Sequence, residues 1–287
     1  MKIDFKCNQN DNENIPIDII KDSKVEFPNL HTNAKDISYI SKILKYHKAD
    51  HICKVPFCTT VEAEALGAYI NLGDDKSCPR IKKYAYNSLD ELSNIKNINF
   101  EKGRISEVLE SINILSKEEI VTLNVCGPMT IISLLIDLKY FYKGVRKNKP
   151  LIEKVMKQLE DNIVEYIVKG YESGAKIISY SDPVGAIEIV GPKIYEDVVS
   201  KTTINIIKRI SDKLNGCIIH LCGKTSTALH NFGICNFNEI KYDYNITYGE
   251  ALCELLSDEG IKIVGNNCLK KSPYKLKNSI IYDIEFI

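Results

Sequence analysis

The sequence predicts an α/β fold, a single (β/α)8 barrel domain over residues 1–287. Two observations predict it. Short apolar runs alternate with longer stretches of helical periodicity, the pattern of a parallel sheet covered by helices. Polar, thiol and imidazole residues gather just past the ends of those runs, where barrels build their working face. An open doubly wound sheet is the alternative, but no Gly-rich dinucleotide or phosphate loop supports it.

The strand candidates are 52–57, 121–126, 176–181, 217–221, 239–242 and 261–264, with reduced strands at Ile3–Lys6 and Ile280–Phe286. Among the helices, 150–172 is clearest. Ile152, Val155, Leu159, Ile163 and Tyr166 recur at helical spacing, Pro150 suits a first turn and Gly174 an end. Further helices are expected over 194–214, 61–70 and 247–257. No linker or internal repeat divides the chain.

Acidic and basic residues balance at 38 each, which argues against a nucleic-acid or anionic-membrane partner. No apolar run reaches the length of a membrane span. The start, Met1 to Lys6 and then the polar patch Asn8–Asn14, is not a secretory signal, so a cytoplasmic protein is expected. The 10 cysteines are scattered rather than framed, and most are expected to pack as small buried hydrophobes.

The strand ends carry the chemistry. They read Val55-Pro56-Phe57-Cys58, Asn124-Val125-Cys126-Gly127-Pro128, Tyr180-Ser181-Asp182-Pro183, His220-Leu221-Cys222-Gly223 and Gly265-Asn266-Asn267-Cys268. Alternation puts His220 and Cys222 on one side of their strand. An imidazole and a thiolate converging there suit zinc. A catalytic zinc takes three protein ligands and leaves one position open. Cys268 is the best third ligand, following strand 261–264 and the turn Gly265-Asn266-Asn267. Asp243, ending strand 239–242, is a further candidate. Cys7 is another possibility, whereas Cys58, Cys126 and Cys235 read as packing or turn residues. Asp182 can orient a ligand or simply start an Asp-Pro turn. Glu62, Glu64 and Asn124 lie near the mouths, but solvated glutamates and a turn asparagine are the plainer readings. Tyr140-Phe141-Tyr142 reads first as core.

These segments resemble the methylcobamide:coenzyme M methyltransferases of the uroporphyrinogen decarboxylase superfamily. The run from Pro56 to Ala68, P-F-C-T-T-V-E-A-E-A-L-G-A, is similar to their P-F-x-x-T-V-E-A-E-A-L-G-A. Asn124–Pro128 is similar to their N-x-x-G-P, Ser181–Val184 to A-D-P-x, His220–Thr225 to H-I-C-G-N-T, and Ile263–Asn266 to the superfamily's G-N-x-D-P strand. The likeness runs in order from about Pro28 onward.

The resemblance implies a zinc enzyme on a (β/α)8 barrel that moves a methyl group from a methyl-corrinoid protein to a thiol such as coenzyme M or homocysteine. It implies His220 and Cys222 as zinc ligands and Asp243 as the carboxylate beside the metal, an Asp where the relatives have Glu. Asp182 and Asp243 are further expected in catalysis, and Glu62 and Asn124 near the cofactor. The relatives' second ligand cysteine lies in a later segment than this sequence reaches at Ile287, so Cys268 is expected to serve instead. The decarboxylases' Arg-rich porphyrin-binding motif is absent, and with four Arg a porphyrinogen decarboxylase is the weaker reading. A barrel that binds a corrinoid protein or a metal without catalysis is a third.

Overall fold

In a computed structural model of the chain, Phe5 and residues 15–258 and 260–287 are described. The apolar runs become strands: β1 (Cys53–Val55), β2 (Tyr69–Asn71), β3 (Arg80–Lys83), β4 (Val121–Cys126), β5 (Ile177–Ser181), β6 (Ile218–Cys222), β7 (Cys235–Lys241), β8 (Ile263–Asn267) and β9 (Ile280–Phe286). A seven-stranded sheet runs β1-β4-β5-β6-β8-β9-β7, and β2 pairs with β3 in a separate hairpin. From β1 to β8 every neighbour is parallel. The architecture is α/β with a mostly parallel central sheet. Strands such as β4 and β5 are buried almost throughout, as expected where both faces are covered.

The last strand occupies the predicted residues but enters differently. β9 lies between β8 and β7 and is antiparallel to both. It arrives from β8 through the turns Leu269–Lys271 and Lys277–Ser279 rather than over a full crossover helix, and so short a connection returns the chain in the opposite direction. β7 is therefore an end strand, and among the described residues no pairing joins it to β1.

The expected helix over 61–70 stops at Ala65, because Gly67 takes φ 104° and turns the chain into β2. The helix expected over 194–214 starts at Pro192, widens to a π turn at Tyr195–Val199 and ends at Ser211. β8 extends through Asn267, so the residues read as a turn are strand. The helix Lys149–Glu172 keeps its predicted buried stripe and is capped by Asn148, whose side chain accepts from Leu151 N. Of the expected first strand Ile3–Lys6, only Phe5 lies within the described residues; Cys7 lies outside them. The Phe5 ring lies against Gly223, where a Cβ would meet it at 2.3 Å. Phe141 is wholly buried and the flanking Tyr140 and Tyr142 pack on the core, which is the plainer of the two sequence readings.

Candidate functional site

Three parallel strands converge on His220. In register it faces Ser179 on β5 and Val264 on β8. Paired residues in a parallel ladder project to the same side, so the Ser179 hydroxyl meets the ring: Oγ to Nδ1 is 3.0 Å. The other nitrogen, Nε2, stands 3.2 Å from the Asn267 carbonyl. A carbonyl only accepts, so Nε2 carries the proton and donates, while Nδ1 accepts from Ser179. Burial lowers the imidazole pKa to about 4, against an opposing pull from the Asn267 carbonyl. His220 is thus a neutral, oriented imidazole at pH 7. Tyr248 meets its ring edge-on, with centroids 5.9 Å apart.

The Asn267 carbonyl gets there by a bulge. His220 pairs with Val264 and Cys222 with Asn267, so β8 spends one more residue than β6 over the same interval. The surplus falls at Gly265 and Asn266, and Asn266 adopts φ 57°. The helix Gly223–Asn231 pins it: Asn266 N donates to Ser226 Oγ at 2.8 Å, and Thr227 Oγ1 donates to Asn266 Oδ1 at 3.2 Å. Gly265 is needed for close packing, since a Cβ there would lie 2.4 Å from Ile284 Cδ1.

Cys222 ends β6 and Cys268 immediately follows β8. Both are half-buried. Burial holds the Tyr248 phenol well above its ordinary range. None of the described cysteines is in a disulfide. Burial pushes Cys53 and Cys253 up to about 11 and Cys217 and Cys235 up to about 12, as expected of thiols that only pack. Among the described residues no three His, Cys, Asp or Glu side chains are grouped as they stand to hold a metal ion. Asp243, expected beside the metal, is exposed in the loop after β7, and β9 and β8 lie between that strand and β6. The structure does not group it with His220 and Cys222.

The other predicted residues have structural partners. Asp182 is buried and caps the helix Pro128–Leu135: Oδ2 accepts from Met129 N at 3.1 Å, and Oδ1 from Thr130 N at 2.8 Å and Thr130 Oγ1 at 2.7 Å. Burial raises its pKa while these bonds pull it down. Asn124 Nδ2 donates to the Pro56 carbonyl at 3.0 Å and ties β4 to the loop after β1.

A second polar mouth lies there, between β1 and β4. Glu62, a solvated charge on the plainer sequence reading, is instead buried, with Oε1 accepting from Cys126 N at 2.8 Å. Burial raises its pKa to about 7. Glu62 Oε2 has no hydrogen-bond partner among the described residues. Arg104, also buried, donates to Thr60 Oγ1 at 2.7 Å and Cys58 Sγ at 3.4 Å. Its Nε stands 2.6 Å from Glu64 Oε2, an ion pair without hydrogen-bond alignment.

Residues 15–268 match the model of the uroporphyrinogen decarboxylase (URO-D) family. The chain belongs to that family. Within the family it is similar to the methylcobamide:CoM methyltransferase MtbA of Methanosarcina mazei, 25% identical over 244 residues, 84% of this chain and 71% of the relative. The methylcobamide:CoM methyltransferase MtaA of Methanosarcina barkeri is 25% identical over 257 residues, 87% of this chain and 72% of the relative. A solved structure of a methyltransferase from Methanosarcina mazei shares the fold with TM-score 0.65 at 22% identity, over 75% of this chain. The match spans 64% of that structure's length. No helix among the described residues is long and apolar enough to cross a membrane.

Ser179, Tyr248 and Arg104 were not singled out from sequence. Ser179 had a signal, a serine inside the buried run Ile177-Ile178-Ser179-Tyr180. The others depend on packing between distant segments.

Proposed function

We propose that this chain is a zinc-dependent methyltransferase that passes a methyl group from a methyl-corrinoid, carried by a partner protein, to a small thiol such as coenzyme M or homocysteine. The observation that carries the reading is the neutral, oriented His220 imidazole at a mouth that also holds Cys222 and Cys268. The names of the MtbA and MtaA relatives support the donor and the reaction class. The same reading takes the seven-stranded sheet as the greater part of a (β/α)8 barrel.

The donors fit zinc in kind: one imidazole and two thiols, a borderline-soft set. His220 Nε2 is held by a single carbonyl. Moving the ring proton to Nδ1, where Ser179 Oγ can accept it, and parting from Asn267 frees Nε2 as a ligand while Ser179 keeps the ring in place. His220, Cys222 and Cys268 would hold the ion, and Asp243 would reach it only by movement of its loop. Zinc, when bound, supplies a Lewis acid that keeps the acceptor thiol deprotonated at neutral pH with a lone pair still available.

The chain's own residues do the rest. His220 stays uncharged and so competes with no proton. The buried Val264 and Tyr248 leave little room for water beside the imidazole. Asp182, Glu62 and Asn124 act by fixing the segments that follow β1 and β4, through the bonds described above.

Protein purified under reducing, chelator-free conditions is expected to hold zinc stoichiometrically, to lose it in His220→Ala and Cys222→Ser, and to transfer methyl from methylcobalamin to at least one of a panel of thiols. Metal-free wild-type protein overturns the zinc assignment. Stoichiometric zinc without transfer to any thiol favours a non-catalytic binder.

A further inference from the structure

We infer that the outer edge of β7 is a self-association surface. A second copy of this chain lays its own β7 antiparallel along it, with Glu239 of one protomer opposite Lys241 of its partner. The inference does not depend on the zinc reading.

The ladder between β7 and β9 sets which backbone groups are free. Its pairing runs without a shift from Cys235 opposite Phe286 to Lys241 opposite Ile280. At its two ends Ile287 N donates to the Ile234 carbonyl and Tyr242 N to the Ser279 carbonyl, both at 3.0 Å. Hydrogen-bonded residues alternate along an antiparallel strand. The even-numbered residues from 234 to 242 therefore turn their N–H and C=O groups towards β9, while Cys235, Phe237, Glu239 and Lys241 turn theirs away. β7 ends the sheet, so no strand among the described residues meets that second edge. His230 Nδ1 donates to the Cys235 carbonyl at 3.0 Å, and its ring stacks on Phe237 with centroids 4.6 Å apart. The free edge thus runs from Phe237 to Lys241. Asn236, Asn238, Glu239 and Lys241 are exposed along it.

The charges on this edge select the occupant. Exposed edges are commonly protected by charges that repel a second copy. This edge carries both signs on one face, with Lys241 Nζ 3.0 Å from Glu239 Oε2. A two-fold axis at Ile240 makes the edge self-complementary. It sets Glu239 of each protomer opposite Lys241 of the other and joins their outward N–H and C=O groups in reciprocal hydrogen bonds. Centring the pairing on Glu239 instead would place two carboxylates directly opposite each other, which is repulsive. Sliding it further towards the start of the strand needs the Cys235 carbonyl, which His230 already occupies. So short an edge gives a weak, reversible dimer.

The test is sedimentation velocity over a range of protein concentrations. It compares wild type, Glu239→Lys, the double variant Glu239→Lys with Lys241→Glu, and Glu239→Pro, with a melting curve for each to confirm the fold. Wild type is expected to show a monomer–dimer equilibrium. Glu239→Lys sets lysine against lysine in both cross-strand pairs, and is expected to raise the dissociation constant about tenfold or more. The double variant reverses both charges and is expected to return to within a few-fold of wild type. Glu239→Pro removes an outward N–H that β9 does not use, so the dimer is expected to be lost while the monomer melts near wild type. A wild type that stays monomeric at every concentration overturns the inference. A dimer as strong in Glu239→Lys and Glu239→Pro as in wild type overturns it as well, because another surface then holds the copies. A double variant that stays as weak as Glu239→Lys overturns the pairing of Glu239 with Lys241.

Discussion

The β1–β4 mouth and the β6–β8 mouth both bury a titratable side chain at the end of parallel strands, and they do so with opposite chemistry. At β1–β4 the groups are ionic. Arg104 is buried among Thr60, Cys58 and Glu64, and Glu62 sits beneath them on the Cys126 amide. At β6–β8 a neutral imidazole lies between a serine hydroxyl and a backbone carbonyl, with a phenol edge-on to its ring. The first mouth balances charge inside the protein and is built for rigidity. The second keeps its imidazole uncharged between a hydroxyl and a carbonyl.

The sharpest way to break this contrast is metal uptake. His220→Ala is expected to lower zinc affinity by at least about 100-fold, while Glu62→Gln leaves it within a few-fold; a chelator competition measures both. Equal losses would mean that the two mouths are one site.

Stability comes next. Arg104→Met leaves the buried Glu62 and the half-buried Glu64 without their cation, and is expected to cost about 1–3 kcal/mol in urea unfolding, less than a fully buried pair because Glu64 can be hydrated. A cost under about 1 kcal/mol, typical of surface pairs, would remove the ionic description of that mouth.

The two mouths should also respond to pH with opposite sign. Glu62 has its pKa raised from 4.5 to about 7 in the fold. Its contribution to stability is full below pH 4.5 and is lost as pH rises through 7. His220 has its pKa lowered from 6.5 to about 4. Its contribution is full above pH 6.5 and is lost as pH falls through 4. Each shift corresponds to roughly 3 kcal/mol across its window. Metal-free wild type compared with Glu62→Gln should therefore diverge between pH 4.5 and 7, and Glu62→Gln should gain on wild type as pH rises. A constant difference between them would show that Glu62 titrates normally. The smallest expected effect is that of Ser179→Ala, about 1 kcal/mol of stability. Its zinc affinity should fall about tenfold if the hydroxyl orients His220.

Much of this was legible from sequence, and the reasons differ by element. β4 and β9 match their predicted ranges: Gly127-Pro128 stops β4, and the turn at Asn278-Ser279 precedes β9. His220 and Cys222 stood out because imidazole and thiol are rare at the end of an apolar run. The direction of β9 was not legible, since it depends on how the 269–279 connection folds and not on the strand's own residues. Asp243 was credited to the site because it ends the strand after His220 and Cys222 and matches the relatives' carboxylate, which puts it near them only if those strands are neighbours in the sheet. β9 breaks that condition by standing between β8 and β7. Ser179 and Tyr248 needed cross-strand register and helix docking, which no local pattern encodes. Asp182 follows β5 and Asn124 lies within β4, and their hydrogen bonds tie both to the scaffold.

The bulge at Gly265 and Asn266 works as a frame marker for the rest of β8. Side chains alternate along a strand, so one surplus residue sets the phase of everything downstream. Removing Asn266 would restore regular counting, yet it would withdraw the Asn267 carbonyl from His220 and turn Cys268 to the opposite face. A single-residue deletion there would separate the two halves of the proposed site while every donor remained in the sequence.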